Sequence, residues 1–467
     1  MNLKLPRAAA LPALALSLAL PLHAAAPPPD TEAQALALAR EVIALRSVQG
    51  PGNQTAEVAR AFAKVLQEGG WQARDIEIVP HQDAAYLIAT WPGSDPALKP
   101  LVISAHMDVV EARPEDWQRD PFTPVVENGF LYGRGSSDVK FDASLAVMAL
   151  VDLRRQGFRP RRSVIVAYSG DEETTMATSQ LIARRLADAH MVLNVDGGGG
   201  TLSEADGTPL YWSWQGAEKT YADFQIEVTN AGGHSSMPRS DNAISQLAAA
   251  VARIGAHHFT PELNDLTRGY FREAARFQTD PKIAAAMRAF ATDPADAAAI
   301  AVLRADPANV GRIGTTCVPT LLSGGHATNA LPQRATANIN CRIFPGHTPA
   351  GIMAELQRVA AEPAARFSDV TEGSVATAAS PLREDVVAAL SAALQAARPG
   401  VPHFPSQASG ASDSMWYRAL GIPSYGVSAQ FIKDSDDYSH GLNERVPLSN
   451  LAPSLVFYRH LFSTLAR

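Results

Sequence analysis

Leu101-Val102-Ile103-Ser104-Ala105-His106-Met107-Asp108 runs from an apolar strand straight into a histidine and, two residues on, an aspartate. In an extended strand, side chains at i and i+2 share a face. At the carboxyl end of a buried parallel strand, where α/β proteins place their sites, such a histidine can ligate a metal while the aspartate fixes its tautomer. The same pattern also describes an ordinary hydrogen-bonded surface pair.

Partners follow in order along the chain. Tyr132-Gly133-Arg134-Gly135-Ser136-Ser137-Asp138 places an aspartate just before the apolar helical stretch Ala143 to Leu153, and its glycines suit a close approach of backbone to a site. The strand Ser163 to Tyr168 runs into Ser169-Gly170-Asp171-Glu172-Glu173. Three adjacent carboxylates repel one another, so a cation or a raised pKa is the natural explanation. An acidic helix start accounts for one or two of them but not comfortably for all three. The strand His190 to Val195 delivers Asp196 into four glycines, and Tyr438-Ser439-His440-Gly441 adds a late histidine.

Taken together, these five motifs and their order resemble the co-catalytic zinc metallopeptidases of the aminoacylase, carnosinase and glutamate carboxypeptidase family, over nearly the whole chain after its first residues. The resemblance implies that His106 binds one metal, that Asp138 bridges two, that Asp196 and Glu173 complete one site each, and that His440 is the remaining ligand. It implies that Asp108 orients His106, that Glu172 is the general base, and that a cis peptide joins Asp138 to Val139. Two imidazoles and three carboxylates form a borderline donor set that favours two Zn²⁺, with Co²⁺ or Mn²⁺ as substitutes, over Ca²⁺ or Mg²⁺. Such a pair lowers the pKa of a shared water, and Glu172 would carry its proton to the leaving amine.

At 467 residues, 46% hydrophobic and 19% charged, the chain can bury a large core and suggests two or more domains. Its net charge of −7 gives no reason to expect nucleic acid as a partner. Lys4 and Arg7 precede an apolar run from Ala8 to Leu22 that ends in Ala24-Ala25-Ala26. That run has the length of a signal-peptide core and is too short and proline-interrupted for a membrane span. Residues 1–26 are therefore expected to be a cleaved leader, and the mature chain periplasmic or secreted with no stable membrane anchor. Export would permit a disulfide between the only cysteines, Cys317 and Cys341, in adjacent β segments; two unpaired core thiols are the alternative.

Strands alternate with helices from residue 27 to 214 and again from 377 to 467, as in an α/β catalytic domain whose mostly parallel central sheet is flanked by helices. Residues 215–376 read differently. The alternating strand Tyr221 to Val228, a helix over 241–254, the two cysteine-bearing strands and a helix over 349–361 give the order of a ferredoxin-like α+β insert, the lid and dimerisation domain of the family. A helical excursion, about 257–309, interrupts it and has no role legible in its composition. Within the lid, the resemblance makes His234 of Gly232-Gly233-His234 an oxyanion-stabilising group, typically reaching a partner subunit's site, so a homodimer is expected. It places Asn329 and Arg342 at substrate-contacting positions, and Ser412, in Ser409-Gly410-Ala411-Ser412-Asp413, against the substrate's carboxyl end.

Two departures touch the pocket wall: Val139-Lys140-Phe141-Asp142 after the bridging aspartate, and no glycines after the acidic run. The expected activity is hydrolysis of a peptide or dipeptide amide with a free carboxylate, carboxypeptidase or dipeptidase ahead of an aminoacylase acting on N-acyl amino acids. A metal-bearing binding protein without turnover is the competing class, and Glu172 beside the ligands speaks against it. A serine hydrolase lacks its Gly-x-Ser-x-Gly elbow here.

Overall fold

The computed structural model describes residues 29–467; the expected leader, 1–26, lies outside them. A ten-stranded mixed sheet forms the larger body, parallel at its centre, where Val164–Ser169, Leu101–His106, Met191–Asn194 and Ser424–Gly426 lie side by side. Leu101–His106 and Val164–Ser169 are buried along their whole length, which is why they read as continuous apolar runs rather than alternating ones. The helix Lys140–Arg155 is buried from Lys140 to Leu153 because it lies between the helices Pro29–Ala44 and Leu451–Leu465 and the strand Leu101–His106. No helix among the described residues is long and apolar enough to cross a membrane.

The second body is a four-stranded antiparallel sheet ordered Thr316–Gly324, Arg334–Ile343, Thr220–Thr229, Ala365–Asp369. Helices Ala243–Gly255 and Pro349–Ala360 complete the expected ferredoxin-like order. Ala222, Phe224, Ile226 and Val228 alternate inward to a core with Leu247, Ile339 and Leu356. Cys317 faces Cys341 across the strand pair and is disulfide-bonded to it. The strand Pro209–Glu218 stays in the larger sheet through Glu218, so the chain changes bodies a few residues later than the alternation of sequence placed it.

The excursion folds as helices Asp265–Ala274, Pro281–Thr292, Ala297–Ala305 and Pro307–Val310. It does not extend the lid sheet. Its first helix packs on His403–Ala408 of the larger sheet, where Tyr270, Phe271, Met287, Phe290 and Leu303 share a core with Phe404.

Candidate active site

Each candidate ligand leaves the carboxyl end of a buried strand or a loop pinned beside one. His106 ends Leu101–His106 and is 1% exposed. Its Nδ1 lies 3.0 Å from the backbone oxygen of Asp108, which can only accept, so Nδ1 carries a proton and Nε2 is the nitrogen turned toward the cluster. Nε2 faces Asp138 Oδ1 at 2.9 Å and Asp196 Oδ2 at 3.9 Å. The other oxygen of Asp138, Oδ2, lies 3.3 Å from His440 Nε2, and that nitrogen is 2.9 Å from Glu173 Oε2. One carboxylate thus faces two imidazoles, one through each oxygen. The ligand atoms of His106, Asp138 and Glu173 fall within 4.8 Å of one another.

The role expected of Asp108 differs in the structure. Its carboxylate is 3.7 Å from the His106 ring, and instead accepts the backbone N–H groups of Glu172 and Glu173, each at 3.0 Å. The carbonyl orients the imidazole, and the carboxylate orients the acidic turn. That turn divides its three acids. Asp171 accepts from Ala177 N (2.8 Å) and Thr178 N (2.9 Å) at the start of the helix Ala177–Arg185, which makes it a capping group. Glu172 and Glu173 are left for the site. The peptide between Asp138 and Val139 is cis, as the resemblance implied. His440 sits at φ +60°, a left-handed conformation that a non-glycine residue adopts where its surroundings require it.

One organising residue escaped the sequence. Glu444 is fully buried and pairs with Arg134 at 2.5 Å, while accepting from Gly135 N (3.0 Å), Ser137 N (2.8 Å), Asp138 N (3.1 Å) and Ser137 Oγ (3.0 Å). Arg134 also donates to the carbonyls of His440 (3.4 Å) and Gly441 (3.2 Å). This pair fastens the loop of Asp138 to the loop of His440. The only local hint was its place four residues after His440. Behind Asp196, Gly198 has φ +79° and a Cβ there would lie 2.8 Å from the Ser213 carbonyl, so glycine lets the loop turn against the sheet.

The electrostatics show what kind of ion the cluster suits. Burial, reinforced by Asp138, Asp413 and Glu173 and opposed by His106, pushes Asp196 up to about 8. Burial also raises Glu172 well above the ordinary carboxylate range, with Asp196, Glu173 and Asp413 adding to it against His106. Burial would raise Asp138, but hydrogen bonds from His106 and His440 hold it well below that range. Hydrogen bonds to Asp138 and Glu173 lift His440 to about 10. Burial lowers His106, yet its bond to Asp138 and the charges of Asp196, Asp138 and Glu172 leave it well above its usual value. Acids crowded so closely keep protons unless a multivalent cation replaces them, and the mixed nitrogen and oxygen donors fit a divalent transition-metal ion.

Asp138 and Asp196 open into a cavity of about 880 Å³. Ser412 lines it, but its hydroxyl donates to Glu218 (2.8 Å) within a buried network that includes the Glu218–Arg418 ion pair, also 2.8 Å. His234, Asn329 and Arg342 are not brought to the cluster within this chain. His234 is exposed in a short antiparallel pair opposite Ala330, its Nδ1 2.7 Å from Ser236 Oγ. The backbone oxygen of Asn329 accepts from Ser235 N at 3.1 Å in the same lid hairpin. The guanidinium of Arg342 lies 4.8 Å from the ring centre of Tyr221.

Fold and cluster together define a metal-dependent hydrolase with a separate antiparallel lid. Residues 102–464 match the profile of peptidase family M20/M25/M40, and the chain belongs to that family as a metallopeptidase. It is 26% identical over 391 residues to a probable carboxypeptidase S-like 2 of Dictyostelium discoideum, spanning 80% of this chain and 73% of that one. Over 429 residues it is 27% identical to an N-fatty-acyl-amino acid synthase/hydrolase PM20D1 of Xenopus tropicalis, spanning 87% and 81%. Its fold is similar to an M20 family metallo-carboxypeptidase of Sulfolobus solfataricus, with TM-score 0.70 at 18% identity over 93% of this chain and 99% of that one. Human carnosine dipeptidase 1 follows with TM-score 0.62 at 14% identity over 93% and 97%.

Proposed function

We propose that the chain is an exported dizinc carboxypeptidase or dipeptidase that cleaves the amide bond of a small peptide bearing a free carboxylate. The observation that carries this reading is Asp138, whose two oxygens face His106 and His440 separately. His106 and Asp196 would hold one ion, Glu173 and His440 the other, and Asp138 both. Bound there, the cations would supply a lowered pKa for water and polarisation of the scissile carbonyl.

The remaining work falls to the chain. Glu172, held by its backbone N–H on Asp108 and buried beside the ligands, takes the proton of the attacking water. It returns that proton to the leaving nitrogen, without which an amide does not part. Charge from bound cations would keep it ionised at rest. His234 reaches substrate only through the lid of a second subunit, where it would stabilise the oxyanion.

Peptides are favoured over long acyl chains by the polarity of the cavity, whose wall includes Ser213, Gln215, Gln407, Ser428 and Gln430. The named activity of the Xenopus relative supports a second reading, hydrolysis of N-acyl amino acids. The bonded cysteines support export, since such bonds persist in oxidising compartments. Purified protein, stripped by chelator and reloaded with Zn²⁺, Co²⁺ or Mn²⁺, should hydrolyse dipeptides faster than N-acyl amino acids. Turnover untouched by chelation would reject the metal, and faster cleavage of acyl amino acids would favour the second reading.

A further inference from the structure

The cavity beside the metal-ligand cluster is lined by acids. Asp138 and Asp196, whose charge the proposed cations would meet, share it with Asp434 and Asp437, and Glu218 also lines it but is neutralised by Arg418. A substrate carboxylate entering such a space needs a cation from the protein. Arg342, the candidate in the sequence, is not among the lining residues. The single cationic side chain on the wall, among the described residues, is Arg312, from the loop that follows the helical excursion.

Arg312 is held without being neutralised. Its guanidinium lies 4.4 Å from the ring centre of Tyr270, and its Nε donates to the Ala308 carbonyl at 3.3 Å. The loop itself is tied down on either side: the buried ammonium of Lys219 donates to the carbonyls of Gly311 (2.9 Å) and Gly314 (2.8 Å). Gly311 abuts the Ser409 loop so closely that a Cβ on it would lie 3.1 Å from Ser409 Oγ. Among the described residues, Arg312 forms no ion pair with a carboxylate within 4.0 Å; Asp434 feels its charge from further off. A guanidinium stacked on one face, bonded through Nε and free at its terminal nitrogens is prepared to bind a planar anion with two parallel hydrogen bonds.

We propose that Arg312, delivered by the excursion, anchors the free carboxylate of the substrate and so sets the specificity of this enzyme for acids over neutral amides. This assignment rests on the hydrolase reading for its meaning, and binding tests it separately from turnover. The excursion then has a purpose its composition did not disclose, since docking on His403–Ala408 is what carries Arg312 to the cavity wall.

The test is calorimetric binding of N-acetyl-L-leucine and N-acetyl-L-leucinamide to metal-loaded protein in a Glu172→Gln background, which removes turnover. With Arg312 intact, the acid should bind at least about tenfold tighter than the amide, the scale of a hydrogen bond to a charged group. Arg312→Gln should weaken the acid by about 10- to 100-fold and leave the amide within about twofold, which also reports an intact fold. Arg312→Lys should restore part of the preference as a point charge without the fork, and Arg342→Gln should leave it unchanged. Preference surviving in Arg312→Gln, preference lost in Arg342→Gln alone, or no preference in the parent would overturn the assignment. Failure of the enzyme with its native Glu172 to cleave any dipeptide or N-acyl amino acid would instead overturn the hydrolase reading, whatever the binding shows.

Discussion

Replacing Glu444 by Gln should disable the site from a position that touches no substrate. Glu444 and Arg134 are 0% and 3% exposed, and the carboxylate also receives three backbone N–H groups and one hydroxyl from residues 135–138. Removing one charge of a buried pair strands the other, at a cost of about 3–5 kcal/mol. The amide of Gln keeps one oxygen, but its NH₂ is turned toward donors. The loop that aims Asp138 then loosens, and metal affinity should fall roughly 10- to 100-fold, as when groups supporting a ligand are lost. Urea denaturation of metal-free protein reads the first effect, and competition with a fluorescent zinc chelator reads the second. Arg134→Met combined with Glu444→Gln should recover part of the stability, because no lone charge remains, but not the metal affinity. Stability within about 0.5 kcal/mol of the parent together with unchanged metal affinity in Glu444→Gln would refute this account of the loop; that interval is the ordinary range of surface substitutions.

Other outcomes follow from single contacts. Asp108→Asn should lower kcat by about tenfold or more, since one of the two N–H acceptors for the acidic turn is lost, while metal content after dialysis is retained because a backbone carbonyl orients His106; loss of metal would return the orienting role to the carboxylate. Burial raises the Asp142 carboxyl to about 6 from its ordinary 3.8, so well below 3.8 it is protonated folded or unfolded and costs nothing. Between pH 3.8 and 6 the unfolded chain gives up this proton while the folded one keeps it, so stability falls over that interval and levels off above 6; Asp142→Asn should gain on the parent between pH 4 and 7, by up to roughly 3 kcal/mol. Denaturation curves at both pH values check this, and a constant difference would contradict it. Cys317→Ser with Cys341→Ser should cost about 2–4 kcal/mol of stability, read by denaturation, with Zn²⁺ binding unchanged, because the 24-residue link lies wholly in the lid.

His106, Glu173 and Asp196 stand at or just past the ends of visible apolar strands, whereas Asp138 and His440 sit in loops and are singled out only by the order of motifs that the family resemblance supplies. Adjacency could not sort the acidic turn: only its fold separates Asp171, which caps a helix, from Glu172 and Glu173. Arg134 and Glu444 lie 310 positions apart, and no local pattern announces such a pairing. The excursion showed helical spacing, which says that one face is buried but not against what; its docking on the larger sheet depends on Phe404, far along the chain. His234 and Asn329 read as site residues, yet a single chain leaves them on the lid.

Anomalous diffraction at the zinc edge from crystals of the metal-loaded protein addresses the whole account at once. It should reveal two peaks, one shared by His106, Asp138 and Asp196 and the other by Asp138, Glu173 and His440. A single peak, or peaks away from Asp138, would contradict it.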